Sequence, residues 1–137
     1  MGLGDKKSTA LIVIRVTLAA LMFIHGAARI SNGTVDAFGT FLGSQGIPFG
    51  FYIAWAITVF ELVGGVLFAA GMYTWIIGLI FAIALAVGIA IVHWKQGWFV
   101  VGTGSGGMEY SVLLIVAFLA IAFAEYKRPV RSFRSHR

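Results

Sequence analysis

The stretch WAITVFELVGG, Trp55 to Gly65, places a carboxylate inside an apolar run: Glu61 has Phe60 and Leu62 beside it and Gly64-Gly65 one turn on. It is the sole acidic residue between Asp36 and Glu109. Its run, about 51–70, approaches the ~20 apolar residues that a helix needs to cross ~30 Å of hydrocarbon. Three more runs of the same kind surround it, at about 9–30, 73–94 and 109–126. All are rich in Leu, Ile, Ala and Val and show no period-2 alternation, which favours helices over barrel strands. The expected fold is all-α, an integral membrane four-helix bundle in one domain.

Composition agrees with that class. Of the 137 residues 60% are hydrophobic and only 11% charged, against roughly 25% charged in a soluble domain. The formal net charge is +5, but the cations gather at the ends: Lys6 and Lys7, then Lys127, Arg128, Arg131, Arg134 and Arg137. Basic flanks beside apolar runs read as membrane anchors rather than a nucleic-acid surface. Cysteine is absent, which removes disulfides, thiolate metal ligation and iron–sulfur ligation from this chain. The first run is longer than the apolar core of a cleaved signal peptide and carries Arg15 and His25, so it reads as a span.

Orientation follows from the connections. The two long ones, 31–50 and 95–107, hold Lys95 as their only Lys or Arg, so the positive-inside rule puts both termini, with the basic tail 127–137, in the cytoplasm. The connection near Gly71-Met72 is a tight turn. Trp55, Trp75, Trp94 and Trp98 fall near span ends, as interfacial anchors do. In the first outer connection, TVDAFGTFLGSQGIPFGF (34–51), Val35, Phe38, Phe41 and Leu42 recur at helical spacing. They predict a short amphipathic helix that caps the bundle or forms a lid over it.

An ionisable group at the centre of a span costs at least ~2.5–3.5 kcal/mol on the insertion scale. Each therefore needs a partner, a route to the interface, or a task. Arg15, His25 and Arg29 fall within an arc of about 80° at 100° per residue, one polar stripe expected to face the bundle interior. Glu61 is expected about half-way down its helix and ~7 Å below His25, with Arg15 a similar distance further down. His93 closes the third run and Glu109 opens the fourth. The predicted ligand-binding or proton-exchanging set is His25, Arg29, Glu61, His93 and Glu109, with Arg15 in a structural ion pair. Small residues, Gly64, Gly65, Gly78, Ala82, Ala86 and Gly88, are expected to allow close helix contact. The competing reading is an ion-pair network that fixes helix register.

Carboxylate and imidazole groups pass protons, and guanidinium binds a carbonyl or an oxyanion. Those tools suit a quinone headgroup. A b-type haem between His25 and His93, or a transition metal on His25, Glu61, His93 and Glu109, fits less well, and no spacing enforces a metal site. The glycines of GTGSGGMEY (102–110) follow no strand, so they are not a phosphate cradle.

Several motifs together resemble the DoxX family of small four-helix membrane proteins, from about Leu11 to Phe123. They are Arg15 with LAALMFIHGAARI (18–30), ELVGG (61–65), GMYT (71–74), HWKQGWF (93–99) and GGMEY (106–110). In LAALMFIHGAARI, His25-Gly26 and Arg29 look like the family's His-Gly…Lys signature. Relatives often carry Trp where this chain has Met108, Pro where it has Ser111, and Arg where it has Trp75. The resemblance implies a membrane protein tied to redox metabolism. Some relatives look like subunits of thiosulfate:quinone oxidoreductase, others accompany quinone-response or oxidative-stress systems, and others assist maturation of partner proteins. Without cysteine, thiosulfate oxidation by this chain alone is not expected. The expectation is a redox-associated subunit of a bacterial or archaeal plasma membrane that binds quinone and takes electrons from a partner protein, with homo-oligomers open. The alternative is a non-catalytic assembly or scaffold protein for an oxidoreductase. A small transporter would require an oligomer.

Overall fold

The computed structural model describes residues 3–102 and 104–126. Every regular element among them is helical: α1 (Leu3–Ser31), α2 (Val35–Ser44), α3 (Gly50–Ala69), α4 (Thr74–Ile91), a 3₁₀ turn (His93–Gln96) and α5 (Glu109–Ala124). α1, α3 and α4 are long and apolar enough to cross a membrane. α5 has 16 residues, a rise of about 24 Å and some 6 Å less than typical hydrocarbon thickness. The fourth run thus forms an apolar helix that is shorter than a full span. The basic tail expected over 127–137 lies outside the described residues.

Local chemistry sets these boundaries. α1 opens with Asp5 in its first turn and closes with Arg29 in its last, each charge complementing the helix dipole at its end. Between α3 and α4 the chain reverses through Gly71 (φ +78) and Tyr73 (φ +53), the tight turn expected near Gly71-Met72. The amphipathic helix expected in the first connection is α2, which buries Val35, Gly39 and Leu42 against Ala54 and the start of α3.

The four apolar helices pack mainly as two pairs, α1 along α3 and α4 along α5. A shared layer joins the pairs: Leu18, Ala19 and Met22 from α1, Phe68 from α3, Ile77, Phe81 and Ala82 from α4, and Leu114, Phe118 and Ile121 from α5. Its centre is aromatic. The Phe68 and Phe118 rings lie 5.3 Å apart, Phe81 and Phe118 5.0 Å, and Phe60 and Phe81 4.9 Å. Gly64, Gly65, Gly78 and Ala82 are buried, as close helix contact requires; Ala86 is exposed and Gly88 faces open space.

Between 22% and 33% of each long apolar helix is buried inside the chain. The remainder is a continuous apolar exterior, far larger than a water-facing monomer tolerates. That surface is what a bilayer covers. This is a membrane protein.

Candidate functional site

The site begins where α1 touches α3. At Gly26 a Cβ would lie 3.0 Å from Glu61 Cβ, 3.1 Å from the Thr58 carbonyl oxygen and 3.2 Å from Glu61 Oε2. A residue without a side chain lets the two helices come this close without strain. Arg29, nearly one turn further along α1, then reaches over the contact. Its Nη1 donates to Glu61 Oε2 at 2.7 Å and to Thr58 Oγ1 at 2.9 Å, and Nη2 lies 3.4 Å from Glu61 Oε1. Thr58 donates in turn to the Ala54 carbonyl at 2.7 Å. The Arg29 guanidinium carbon sits 4.5 Å from the centroid of the Phe38 ring, a cation–π contact supplied by α2.

Thr58 is fully buried and Glu61 is 5% exposed. Inside an apolar bundle such a pair persists because donors and acceptors match. Charge-assisted hydrogen bonds recover much of the lost hydration. Three helices therefore hold one guanidinium, which holds one carboxylate.

On its other flank Glu61 borders a groove of about 320 Å³ with Met22, Ala56, Ile57, Phe60, Phe81 and Ala84. At 100° per residue, Thr58 stands about 60° to one side of Glu61 on α3, while Ile57 and Phe60 stand about 40° and 100° to the other. Glu61 is thus the partition between the arginine and the groove. Apart from it the lining is apolar.

Of the predicted set, Arg29 and Glu61 meet; the other three do not join them. His25 is exposed on the surface of α1. It lies at the edge of the polar arc, and the inward position beside it belongs to Gly26. His93 stands in the 3₁₀ turn, where its Nδ1 donates to the Gly106 carbonyl at 2.7 Å. Glu109 accepts the Val100 N–H at 2.8 Å. Both brace the loop 97–108, whose backbone also closes on itself through Gly107 N to Phe99 O and Met108 N to Gly97 O. Arg15 does form an ion pair, but with Glu125, at 2.7 Å, and it donates to the Ala69 carbonyl at 3.3 Å. Among the described residues no three His, Asp or Glu side chains are grouped as a metal would need.

The expected depth of Glu61 requires correction. It stands level with Gly26 rather than a turn and more below His25. Counting inward from the loop assumed that both helices start at one level. Instead, α2 packs on the beginning of α3, where a Cβ at Gly39 would meet Phe51 Cα at 2.8 Å, so α3 projects beyond the end of α1. The sequence reading also missed Thr58, the close contact at Gly26, the Phe38 ring under Arg29, and Glu125. Thr58 carried a usable signal: it lies three residues before Glu61, where side chains of a helix are neighbours.

Comparison with known proteins adds a family and a relative. The model of the DoxX family matches residues 10–94, a segment that contains Arg15, Gly26, Arg29, Thr58 and Glu61. "Putative oxidoreductase CatD" of Bacillus subtilis (strain 168) is 31% identical over 117 residues, which cover 84% of this chain and 80% of that protein. No solved structure matches the chain.

Proposed function

This chain belongs to the DoxX family, and on that premise we propose that it is a redox-associated plasma-membrane subunit that binds a quinone or a similar small ring beside Glu61. One observation carries the reading: Glu61, buried and ion-paired, is the one residue with a polar side chain among those lining an apolar groove. The groove's volume, about 320 Å³, is roughly twice that of an apolar cavity that takes up benzene. It suits one substituted ring and the start of a tail. Phe60 and Phe81, 4.9 Å apart, offer aromatic surface to such a ring.

Glu61 orients the polar edge of the ligand and can exchange a proton there. Arg29 holds the carboxylate in place. Both termini lie in the cytoplasm, and the electrons come from a partner protein, in keeping with the oxidoreductase name of the relative. A second reading, a scaffold for such a partner, draws support from the internal pairing of Arg29, Thr58 and Glu61, which is complete without a ligand.

One experiment separates the two. Gently purified protein should retain quinone or hydroquinone detectable by mass spectrometry, and an added short-tail quinone or its hydroquinone should raise its thermal midpoint. Ala84→Leu, which fills the groove, should abolish both effects and leave the fold intact. Wild-type protein that carries neither form and shows no shift with either leaves the scaffold reading standing.

A further inference from the structure

We infer that the groove beside Glu61 is a hydrogen-bond-accepting site that takes the reduced, hydroxyl-bearing form of its ring, a hydroquinone or other phenol, in preference to the oxidised carbonyl form. The inference rests on the ring-binding reading above and concerns which chemical form the groove selects.

Donors and acceptors around the groove decide which form binds. Of the residues lining the groove, Met22, Ala56, Ile57, Phe60, Phe81 and Ala84 carry no side-chain N–H or O–H. Their backbone N–H groups lie inside α1, α3 and α4, where the helical ladder occupies them. Glu61 remains. As the anionic half of an ion pair it accepts and does not donate.

The nearest strong donor is unavailable to the groove. Arg29 Nη1 is committed to Glu61 Oε2 and Thr58. The guanidinium also stacks on Phe38, and Arg29 is not among the residues lining the groove. Glu61 Oε1 is the lightly held oxygen, its one hydrogen bond in the pair being long, at 3.4 Å. A carboxylate oxygen has room for more than one donor, so Oε1 keeps acceptor capacity.

A quinone carbonyl placed here would set acceptor against acceptor in a dry site, with nothing to bond it. A hydroquinone O–H points its proton at the carboxylate and gains a charge-assisted bond. Because the lining is otherwise apolar, the ligand reaches the groove from the bilayer and keeps its tail in lipid.

The test uses the wild-type protein in lipid nanodiscs and three ligands with one decyl tail: a benzohydroquinone under anaerobic reducing conditions, the matching benzoquinone, and the hydroquinone dimethyl ether. The ether keeps the ring and lacks the donor. Affinities are read by calorimetry. The hydroquinone should bind about tenfold or more tighter than either competitor, the range expected for a hydrogen bond to a charged group. Quinone or ether binding as tightly as hydroquinone, and lost in Ala84→Leu, would overturn the preference and leave the groove reading intact. If none of the three binds, the groove reading itself fails. Glu61→Gln adds an amide donor and should erase the preference in favour of the quinone. Should that variant not fold, the wild-type comparison still decides the matter.

Discussion

Gly26 shows how a single residue makes the site possible. Burying Glu61 in a span costs at least ~2.5–3.5 kcal/mol on the insertion scale, and the contact that lets Arg29 offset this depends on the missing side chain beside it. Gly26→Ala would put a methyl group 3.0–3.2 Å from Glu61 and from the Thr58 carbonyl, on rigid neighbours with no slack. The neighbours must give by a few tenths of an ångström, at an expected loss of about 1–3 kcal/mol. Gly43→Ala is the control. It lies in α2 with nothing within 4 Å, so the better helix propensity of alanine should stabilise by up to about 1 kcal/mol. Thermal midpoints of both variants in one detergent check the pair of signs. A neutral Gly26→Ala would mean that α1 and α3 are not held at this distance.

At the scale of elements, Arg15 does at one end of the bundle what Arg29 does at the other. From α1 it reaches the Ala69 carbonyl at the end of α3 and Glu125 at the cap of α5, so one cation serves two helix C-termini, where the dipole favours positive charge. The turn that follows α3 is shaped around it: a Cβ on Gly71 would stand 3.0 Å from Arg15 Nη1. Breaking a buried pair from one side typically costs about 3–5 kcal/mol. Arg15→Ala should therefore speed amide hydrogen exchange over 66–73 and 118–125, while the segment 34–61 at the other end keeps its protection. Hydrogen-exchange mass spectrometry reads both regions together, and equal acceleration in both would refute a local clamp.

Across the whole molecule the two ion pairs stand on opposite sides of the apolar layer built from Leu18, Met22, Phe68, Phe81 and Phe118. Fourteen residues of α1 separate Arg15 from Arg29, about 21 Å of helix. The cytoplasmic placement of both termini, proposed from the positive-inside rule, predicts that the Glu61 site belongs to the outer half of the membrane. The absence of cysteine makes this easy to check. In intact cells a membrane-impermeant maleimide should label Ser105→Cys, and should label Gly4→Cys only after permeabilisation. The reverse pattern would invert the orientation and the sidedness of the site.

The apolar runs, their lengths and the turn near Gly71 were legible from residue order, because helix formation and bilayer crossing are local matters of periodicity and summed hydropathy. The amphipathic spacing of Val35, Phe38, Phe41 and Leu42 revealed α2 for the same reason. Residue order also singled out Arg29 and Glu61, since charge inside an apolar run needs an answer wherever it occurs. Which acid meets which base was decided only by tertiary packing. His25 and Gly26 are adjacent in the chain, yet a step of 100° sends one outward and the other against α3. Arg15, His25 and Arg29 were all candidates for Glu61 until the packing of α1 on α3 fixed their register. That register rests on contacts between segments far apart in the chain, Gly26 against Thr58 and Glu61 and Gly65 against Ala19 and Phe23, and no local pattern encodes it.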